Sequence, residues 1–243
     1  MHARLVRFRL GTGASSGFGT LYEGRILPAL RATEGCLGAA LLARVGREEE
    51  LISLTLWNAR RHAQAYDASG RFARLLNEAE HFLSEGDGPD AAAGGLSRED
   101  DLSVAGYAAE LLVPADLGAA LVAGSFARTV TASVARDRIE EFDRRYRAEV
   151  TTALADFPGL FAVLLLHGAD KPGATVGLSF WHGEDAAARY DLSGRFEDLA
   201  SNLRETLSPV SRWRSAWVAG EGPHGAAADL EVDLYQVRSA SVF

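Results

Sequence analysis

The clearest hydrophobic pattern in the chain is a strict alternation over residues 52–57, which recurs over residues 176–181. Because successive side chains of a β-strand point to opposite faces, this alternation predicts two strands. One face of each strand is apolar, whereas the other carries small residues and ends in a tryptophan. The members of this second face are Ser53, Thr55 and Trp57 in the first strand, and Gly177, Ser179 and Trp181 in the second.

The same order of elements is predicted around both of these strands. Strand patterns cover residues 5–10, 36–44 and 104–113 in the first half of the chain, and residues 129–134, 160–167 and 230–237 in the second. Apolar residues at helical spacing predict one helix between Phe18 and Leu30 and another between Ile139 and Leu154. A later helical region is interrupted in each half by a Ser-Gly pair. Each half therefore has the β-α-β-β-α-β order of a ferredoxin-like unit.

The first predicted helix contains a proline in its interior. Pro28 has no backbone N–H, so the carbonyl of Gly24 lacks its helical partner and we expect a kink near Gly24. The second half has Thr152 at the matching position. The two helices therefore need not superpose closely.

The two halves are copies of one sequence unit. Trp57 and Trp181 lie 124 positions apart (181 minus 57), and this offset holds without a gap over residues 18–84. The most similar segments read Tyr-Asp-Ala-Ser-Gly-Arg-Phe over residues 66–72 and Tyr-Asp-Leu-Ser-Gly-Arg-Phe over residues 190–196. An internal repeat of this kind predicts two structural units.

The repeat and the order of elements together predict the fold. The first copy covers residues 1–113, the linker residues 114–124, and the second copy residues 125–243. An antiparallel sheet with helices on one face leaves its other face to be covered, and two such sheets in one chain can cover each other. We therefore predict an α+β fold in which two tandem ferredoxin-like units form an intrachain pseudo-dimeric α/β barrel.

Composition limits the partners and the location of the protein. The formal net charge is −8 at pH 7, which argues against binding to nucleic acid or to an anionic membrane surface. The longest nearly apolar stretch, residues 117–127, is much shorter than the roughly 20 residues of a membrane span. Cys36 is the single cysteine, which excludes an intrachain disulfide and is typical of a reducing compartment. We expect a cytoplasmic protein with no nucleic-acid or membrane partner.

A family resemblance follows from three features that occur in both copies. They are a strand led by glycine, a following strand that ends in tryptophan, and a Tyr-x-x-Ser-x-x-Phe segment that starts at Tyr66 and at Tyr190. This combination resembles the antibiotic-biosynthesis monooxygenase family of dimeric α/β barrels. The resemblance covers most of both copies, and it implies a fused member in which one chain supplies both halves of the barrel.

The resemblance implies a chemistry as well as a fold. Quinone-forming members of this family oxygenate an electron-rich phenolic substrate without flavin, haem or metal, because the deprotonated substrate itself reduces dioxygen. The protein supplies hydrogen bonds or a base, together with a dry pocket. The implied function is a cofactor-independent monooxygenase that oxidises a small phenolic or polycyclic aromatic, anthrone-like substrate. Its partners are this substrate and dioxygen, and association of fused barrels into a homo-oligomer is left open.

The residue types implicated in these members are Trp, Tyr, Asn and Arg, and several positions of this chain match them. His182 joins them as a candidate general base, because an imidazole titrates near neutral pH. Asn58 occupies the matching place in the first copy and can only hydrogen-bond. The catalytic candidates are Tyr66, Tyr190, His182 and Asn58, and the substrate-binding candidates are Trp57, Trp181, Phe72 and Phe196.

Each of these positions also has a structural interpretation. A tryptophan at a strand end can simply pack under the next helix, and a buried tyrosine can find a partner within the protein. Phe72 and Phe196 fall at helical core spacing. Asp67 with Arg71, and Asp191 with Arg195, have the i,i+4 spacing of exposed ion pairs on a helix surface.

Metal and haem chemistry find little support in the sequence. The histidines do not cluster at the spacing of a metal site, so we expect none. Haem-degrading members of the family have a histidine ligand ten residues after the motif's opening aromatic. Here that position holds Leu76 in the first copy and Ala200 in the second, and neither side chain can bind iron.

A second hypothesis belongs to a different functional class. The chain could be a non-catalytic barrel that binds a small ligand or is purely structural, so whether it is an enzyme is left open. Cavity volume discriminates between the two hypotheses. Cavities of roughly 300 Å³ or more beside Trp57 or Trp181 favour ligand chemistry, whereas filled cores favour a structural role.

Overall fold

The computed structural model describes residues 1–84, 102–113, 121–208 and 230–243. Within these residues each sequence copy supplies four strands. The strands of the first copy are β1 (His2–Arg9), β2 (Cys36–Arg44), β3 (Arg47–Trp57) and β4 (Leu102–Val113). Those of the second copy are β5 (Phe126–Ser133), β6 (Leu160–Gly168), β7 (Ala174–Trp181) and β8 (Glu231–Val242).

Helices lie between these strands in the predicted places. The first copy has α1 (Ser15–Leu21), α2 (Leu27–Arg31), α3 (Arg60–Ala68) and α4 (Arg71–Ala79). The second copy has α5 (Ile139–Leu154), α6 (Glu184–Leu192) and α7 (Arg195–Leu203). No helix in the described ranges has the length and apolar character needed to cross a membrane.

The strand order is β1-β3-β2-β8-β5-β7-β6-β4, and it closes into a barrel. The first copy contributes β4-β1-β3-β2 and the second contributes β8-β5-β7-β6, which is the same order in each. The predicted fold class, two ferredoxin-like units in one α/β barrel, is therefore confirmed.

The chain divides into two compact units. Unit 1 comprises Met1–Ala108, Leu121–Gly124 and Tyr235–Phe243, and unit 2 comprises Ala109–Ala120 and Ser125–Leu234. The end of β8 belongs to unit 1 because Tyr235–Val242 includes the residues that pair with β2. The sequence boundaries at 113 and 125 delimit the repeat and remain a prediction.

The proline in the first helical region lies beside an interruption of the regular α-helix. A π-helical turn, Tyr22–Ile26, separates α1 from α2, and the N–H of Leu27 bonds to the carbonyl of Tyr22 five residues earlier. This widened turn lies next to Pro28, which cannot donate to Gly24. In the second copy α5 runs without such a break.

The Ser-Gly pairs break the later helices as the sequence indicates. Gly70 has φ +71° and Gly194 has φ +75°, the left-handed conformation that favours glycine. Ser69 donates a 2.7 Å hydrogen bond to the carbonyl of Tyr66 and accepts one of 3.3 Å from the N–H of Arg71. Ser193 makes the same two bonds in the second copy. The repeated motif is thus a helix break that fixes where its Tyr, Asp and Phe side chains lie.

Candidate functional site

In each unit a cavity lined by described residues lies beside the small-residue face of the central strand. The first cavity, in unit 1, measures about 60 Å³, and the second cavity, in unit 2, about 50 Å³. Residues at the same repeat positions line both, on a background of apolar side chains. They include Arg4, Tyr22, Ser53, Thr55, Tyr66 and Phe72 in the first cavity, and Arg128, Tyr146, Gly177, Ser179, Tyr190 and Phe196 in the second.

Both cavities are small. Their volumes are well below the roughly 300 Å³ that was expected for a ligand site of ordinary size. In this conformation each has room for a few water-sized groups. Trp57 and Trp181 do not line them.

A buried arginine forms the polar wall of each cavity. Arg4 lies directly opposite Thr55 in the β1–β3 pair, and Arg128 lies directly opposite Ser179 in the β5–β7 pair. Opposite residues of an antiparallel pair share one face, so the arginines face the cavities with the small residues. Arg4 is 5% exposed and Arg128 is 3% exposed. A guanidinium is almost never buried to this extent without a specific partner.

The repeated motif supplies part of that partnership. Nη2 of Arg4 lies 3.1 Å from Oδ1 of Asp67, and Nη2 of Arg128 lies 2.8 Å from Oδ1 of Asp191. The prediction that these aspartates pair with the arginines four residues later is therefore wrong. Asp67 contacts Arg4 and Asp191 contacts Arg128, and both of these arginines lie on strands. Arg71 donates to the hydroxyl of Thr33 at 3.2 Å.

The phenylalanine of the motif completes the support of each guanidinium. The guanidinium carbon of Arg4 lies 3.9 Å from the Phe72 ring centre, and that of Arg128 lies 4.1 Å from the Phe196 ring centre. A cation over an aromatic face at this distance is stabilised by the ring quadrupole. Phe72 and Phe196 thus line the cavities, and each does so as the platform of an arginine.

These contacts leave part of each guanidinium without a hydrogen-bond acceptor. Nε of Arg4 is buried without a partner among the described residues, and so are Nε and Nη2 of Arg128. The Asp191 carboxylate is close to Nη2 but is not aligned for a hydrogen bond. Burial lowers the pKa of Arg4, against the opposing effect of Asp67. A buried N–H without an acceptor is costly, and an oxygen within the cavity would satisfy it.

Tyr66 and Tyr190 lie beside these arginines. Their rings pack on Trp57 and Trp181 with centroid distances of 5.4 Å and 5.3 Å. Burial raises the pKa of each phenol to about 12, and the neighbouring arginine opposes this shift. Neither hydroxyl has a hydrogen-bond partner in the described part of the chain. At neutral pH both are protonated, so they can donate a hydrogen bond but cannot act as bases.

The two tryptophans are fully buried, and their indole N–H groups are already satisfied. Trp57 donates to Oγ1 of Thr55 at 2.9 Å, and Trp181 donates to Oγ of Ser179 at 2.9 Å. Each acceptor lies two residues earlier on the same face of the strand. A role in substrate binding remains a prediction, but the indole N–H is not available for it in this structure.

Asn58 and His182 lie at the surface, just past the ends of β3 and β7. Both are exposed, and neither lines a cavity. The His182 ring contacts Phe161 with a centroid distance of 4.7 Å. The structure therefore brings Tyr66 together with Phe72, and Tyr190 with Phe196, but it does not bring Asn58 or His182 to either group. Their catalytic roles remain predictions.

One difference between the cavities concerns a tyrosine of the first helical region. In the first cavity the hydroxyl of Tyr22 hydrogen-bonds to Oγ of Ser53 at 3.1 Å. In the second, Gly177 replaces this serine, and a Cβ there would lie 2.5 Å from the hydroxyl of Tyr146. Tyr146 has no hydrogen-bond partner among the described residues.

The described residues near the cavities form no metal site. No three His, Cys, Asp or Glu side chains of the described residues lie together as metal ligands would. Leu76 lines the first cavity and Ala200 the second, at the position of the haem ligand in the resembled family. Neither residue offers a donor atom to iron.

Comparison with known proteins gives a result for structure only. No family model and no curated protein matches the sequence. A proposed monooxygenase from Fusobacterium nucleatum subsp. nucleatum superposes with a TM-score of 0.68 at 9% identity, covering 99% of this chain and 94% of that chain. An anthrone oxidase-like protein gives 0.60 at 12% identity, covering 99% and 92%.

The chain has the fold of these two proteins. A structure described as a major regulator of staphylococcal pathogenesis also matches, with a TM-score of 0.50, 9% identity and coverage of 96% and 98%. The resemblance expected from the repeated motif is thus confirmed as a fold. Proteins of different roles share it, so the chemistry has to be inferred from the site.

The arginines are the site residues that the sequence interpretation missed. The predicted first strands began at residues 5 and 129, whereas β1 and β5 begin at His2 and Phe126. Arg4 and Arg128 therefore fell just outside the predicted elements. The repeat could have identified them, because they lie 124 positions apart (128 minus 4) like the tryptophans.

Proposed function

We propose that the protein is a cofactor-independent monooxygenase that oxidises a small phenolic or polycyclic aromatic substrate with dioxygen. The observation that carries this proposal is the buried guanidinium in each cavity, whose Nε–H has no acceptor among the described residues and lies beside a protonated phenol. Hydrogen-bond donors in an otherwise apolar cavity are what an ionised substrate oxygen requires. The chain shares its fold with an anthrone oxidase-like protein, and this analogy supports the same chemistry.

The reaction needs an electron-rich substrate anion. Loss of a proton from a phenol or an anthrone gives a phenolate or enolate, which passes one electron to dioxygen and leaves a substrate radical and superoxide. These combine at carbon to give a peroxide, and loss of water then gives the quinone. One oxygen atom ends in the product and the other in water, so no external reductant is needed.

The residues of the cavities fit the stabilisation of this anion. The guanidinium N–H groups and the phenol of Tyr66 or Tyr190 would donate to the substrate oxygen and favour its ionised form. The phenols are protonated at neutral pH, so the proton leaves to solvent or to a group outside the cavity. The apolar lining would keep water away from the radical pair.

A non-catalytic role remains the second candidate, and the cavity volumes favour it. Cavities of about 50 and 60 Å³ do not accommodate a three-ring substrate without a movement of the surrounding helices. The internal hydrogen bonds of both tryptophans also show that this aromatic cluster can serve packing alone.

Dioxygen uptake tests the proposal. The purified protein would be mixed with anthrone and, as a smaller substrate, with 1-naphthol, in the presence of a chelator and without flavin or haem. We expect uptake above the spontaneous rate for at least one of them, and its loss in the Tyr66→Phe, Tyr190→Phe double variant. Removal of a single hydrogen-bond donor from an oxyanion site costs about a hundredfold or more in rate.

A matched control separates loss of chemistry from loss of structure. Tyr107 is a buried tyrosine outside both cavities, so Tyr107→Phe should leave uptake unchanged. Uptake no faster than buffer with both substrates would contradict the proposal for these substrates and favour the non-catalytic candidate. Uptake that survives in the double variant would place the chemistry elsewhere.

A further inference from the structure

The two cavities are not equivalent, and the difference identifies a ligand site. We propose that the second cavity, in unit 2, is the one that binds ligand and that it binds the ionised oxygen of a one-ring or two-ring phenol or enol. The inference rests on the proposed function for the identity of the substrate, but it concerns binding. It can therefore be tested without turnover.

The first observation is the loss of an internal hydrogen bond in the second copy. In the first cavity the hydroxyl of Tyr22 is hydrogen-bonded to Ser53. In the second cavity the matching residue is Gly177, which has no side chain to bond to Tyr146. Burial raises the pKa of Tyr146 well above its ordinary value, so its hydroxyl stays a donor at neutral pH. A buried phenol hydroxyl without a partner is costly, and a ligand oxygen in the cavity would supply that partner.

The second observation is that further donors face the same space. Nε and Nη2 of Arg128 have no hydrogen-bond acceptor among the described residues, and the side chain is only 3% exposed. Tyr146, Tyr190 and Arg128 all line the second cavity. The equivalent Tyr22, Tyr66 and Arg4 line the first cavity, but there the hydroxyl of Tyr22 is bonded to Ser53. Only in the second cavity are both phenols without a hydrogen-bond partner among the described residues.

The number and charge of these donors select an oxyanion. A phenolate oxygen can accept several hydrogen bonds at once, whereas an ether oxygen can accept few and carries no charge. Asp191 is 48% exposed and therefore hydrated, so it only partly neutralises the buried guanidinium. The remaining lining includes Val130, Phe142 and Leu203, which suit an aromatic ring.

The small volume limits the size of the ligand. A cavity of about 50 Å³ has to widen to admit even one ring, and three rings would need a much larger movement of its walls. We therefore choose 4-nitrophenol as the probe, since its ionisation changes its absorbance, and 4-nitroanisole as the neutral analogue of nearly the same shape. Both can be titrated with the full-length protein under nitrogen, which excludes oxygenation.

We expect one binding site per chain, and ionisation of the bound nitrophenol at a lower pH than in buffer. The phenolate should bind at least about tenfold more tightly than nitroanisole, the effect of one hydrogen bond to a charged group. Arg128→Gln should abolish the downward shift of the probe's pKa, and Tyr146→Phe should reduce it. Gly177→Ser places a Cβ 2.5 Å from the hydroxyl of Tyr146 and so displaces this donor from its present position, which should also weaken phenolate binding.

Tyr22→Phe is the matched control, because the hydroxyl that it removes is already bonded to Ser53. It should leave the stoichiometry and the probe's pKa unchanged. The proposal is overturned if wild-type protein does not shift the pKa of the probe, if two equivalent sites appear, or if Tyr22→Phe weakens binding as much as Tyr146→Phe. Probe binding without dioxygen uptake would defeat the proposed function alone, and uptake without probe binding would defeat this inference alone.

Discussion

The guanidinium carbon of Arg4 lies 3.9 Å from the ring centre of Phe72, and Arg128 repeats this relationship with Phe196 at 4.1 Å. Each pair joins the first strand of a copy to its Tyr-Asp-x-Ser-Gly-Arg-Phe motif. The aspartate of the same motif contacts the same guanidinium. The most strongly repeated segment of the sequence therefore holds a buried cation at the edge of a cavity.

A buried cation kept for function should be dispensable for stability. Arg128→Met replaces the guanidinium by an apolar side chain of similar length, and such replacements of buried ionic groups are often neutral or stabilising. We expect the free energy of unfolding to change by less than about 1 kcal/mol, or to rise, while phenolate binding is lost. Urea denaturation of the variant and the wild type measures this.

Removal of the aspartate, with the arginine kept, provides the comparison. Asp191→Asn leaves the buried Arg128 without its counter-charge, and the half-exposed position of Asp191 moderates the cost. A destabilisation of about 1–2 kcal/mol is expected. A methionine variant that is less stable than the asparagine variant would assign the arginine a structural role.

The two helix tyrosines should differ in their contribution to stability. Tyr22→Phe breaks the hydrogen bond to Ser53 and leaves that hydroxyl without its partner, so it should lower the free energy of unfolding by about 1 kcal/mol. Tyr146→Phe breaks no hydrogen bond within the described residues and should be neutral within about 0.5 kcal/mol. Paired urea titrations of the two variants check the difference, and equal losses would contradict it.

The tryptophans should depend on the small hydroxyl residues beside them. Thr55→Val keeps the shape of the side chain but leaves the indole N–H of the buried Trp57 without an acceptor. The expected cost is about 1–3 kcal/mol. Ser179→Ala should have a comparable effect through Trp181. Thermal unfolding monitored by tryptophan fluorescence measures both, and unchanged midpoints would show that these bonds are not needed for packing.

Alkaline pH should destabilise the protein through the cavity tyrosines. Burial raises the pKa of Tyr66 and Tyr190 from 10.0 to about 12, so the folded state retains protons that the unfolded state has lost between these values. The stability that they contribute is fully present below pH 10 and is lost as pH rises toward 12, at about 1.4 kcal/mol per pH unit for each tyrosine. Urea denaturation at a series of pH values measures the slope. The Tyr66→Phe, Tyr190→Phe double variant should have a shallower one.

Local and periodic information was sufficient to predict most of the fold. The bounds of β2 agree with the predicted residues 36–44, and β3 and β7 both end at the tryptophan that the alternation identified. Pro28 and the Ser-Gly pairs act on the backbone within a few residues, so their effects could be inferred from the chain alone. The repeat was sufficient to predict the barrel, because the sheet of one unit has a face left uncovered and the sheet of the second unit can cover it.

The site depended on contacts between residues far apart in the chain. Arg4 and Asp67 are brought together only when α3 packs beside β1, so spacing alone assigned Asp67 to the nearer Arg71. Residue type selected Asn58 and His182, yet the end of each strand points them to the surface. The cytoplasmic location, the association of barrels and the catalytic assignments remain predictions.

The sequence by itself determined the number of copies, the order of their elements and the face of each central strand that borders a cavity, since these follow from periodicity and short-range backbone preference. The tertiary structure decided which polar groups meet there. Only the packed structure shows that the hydroxyl of Tyr22 is hydrogen-bonded to Ser53, whereas Gly177 leaves the hydroxyl of Tyr146 without a partner among the described residues. The reason is that hydrogen bonding depends on distances between atoms, which spacing along the chain does not encode.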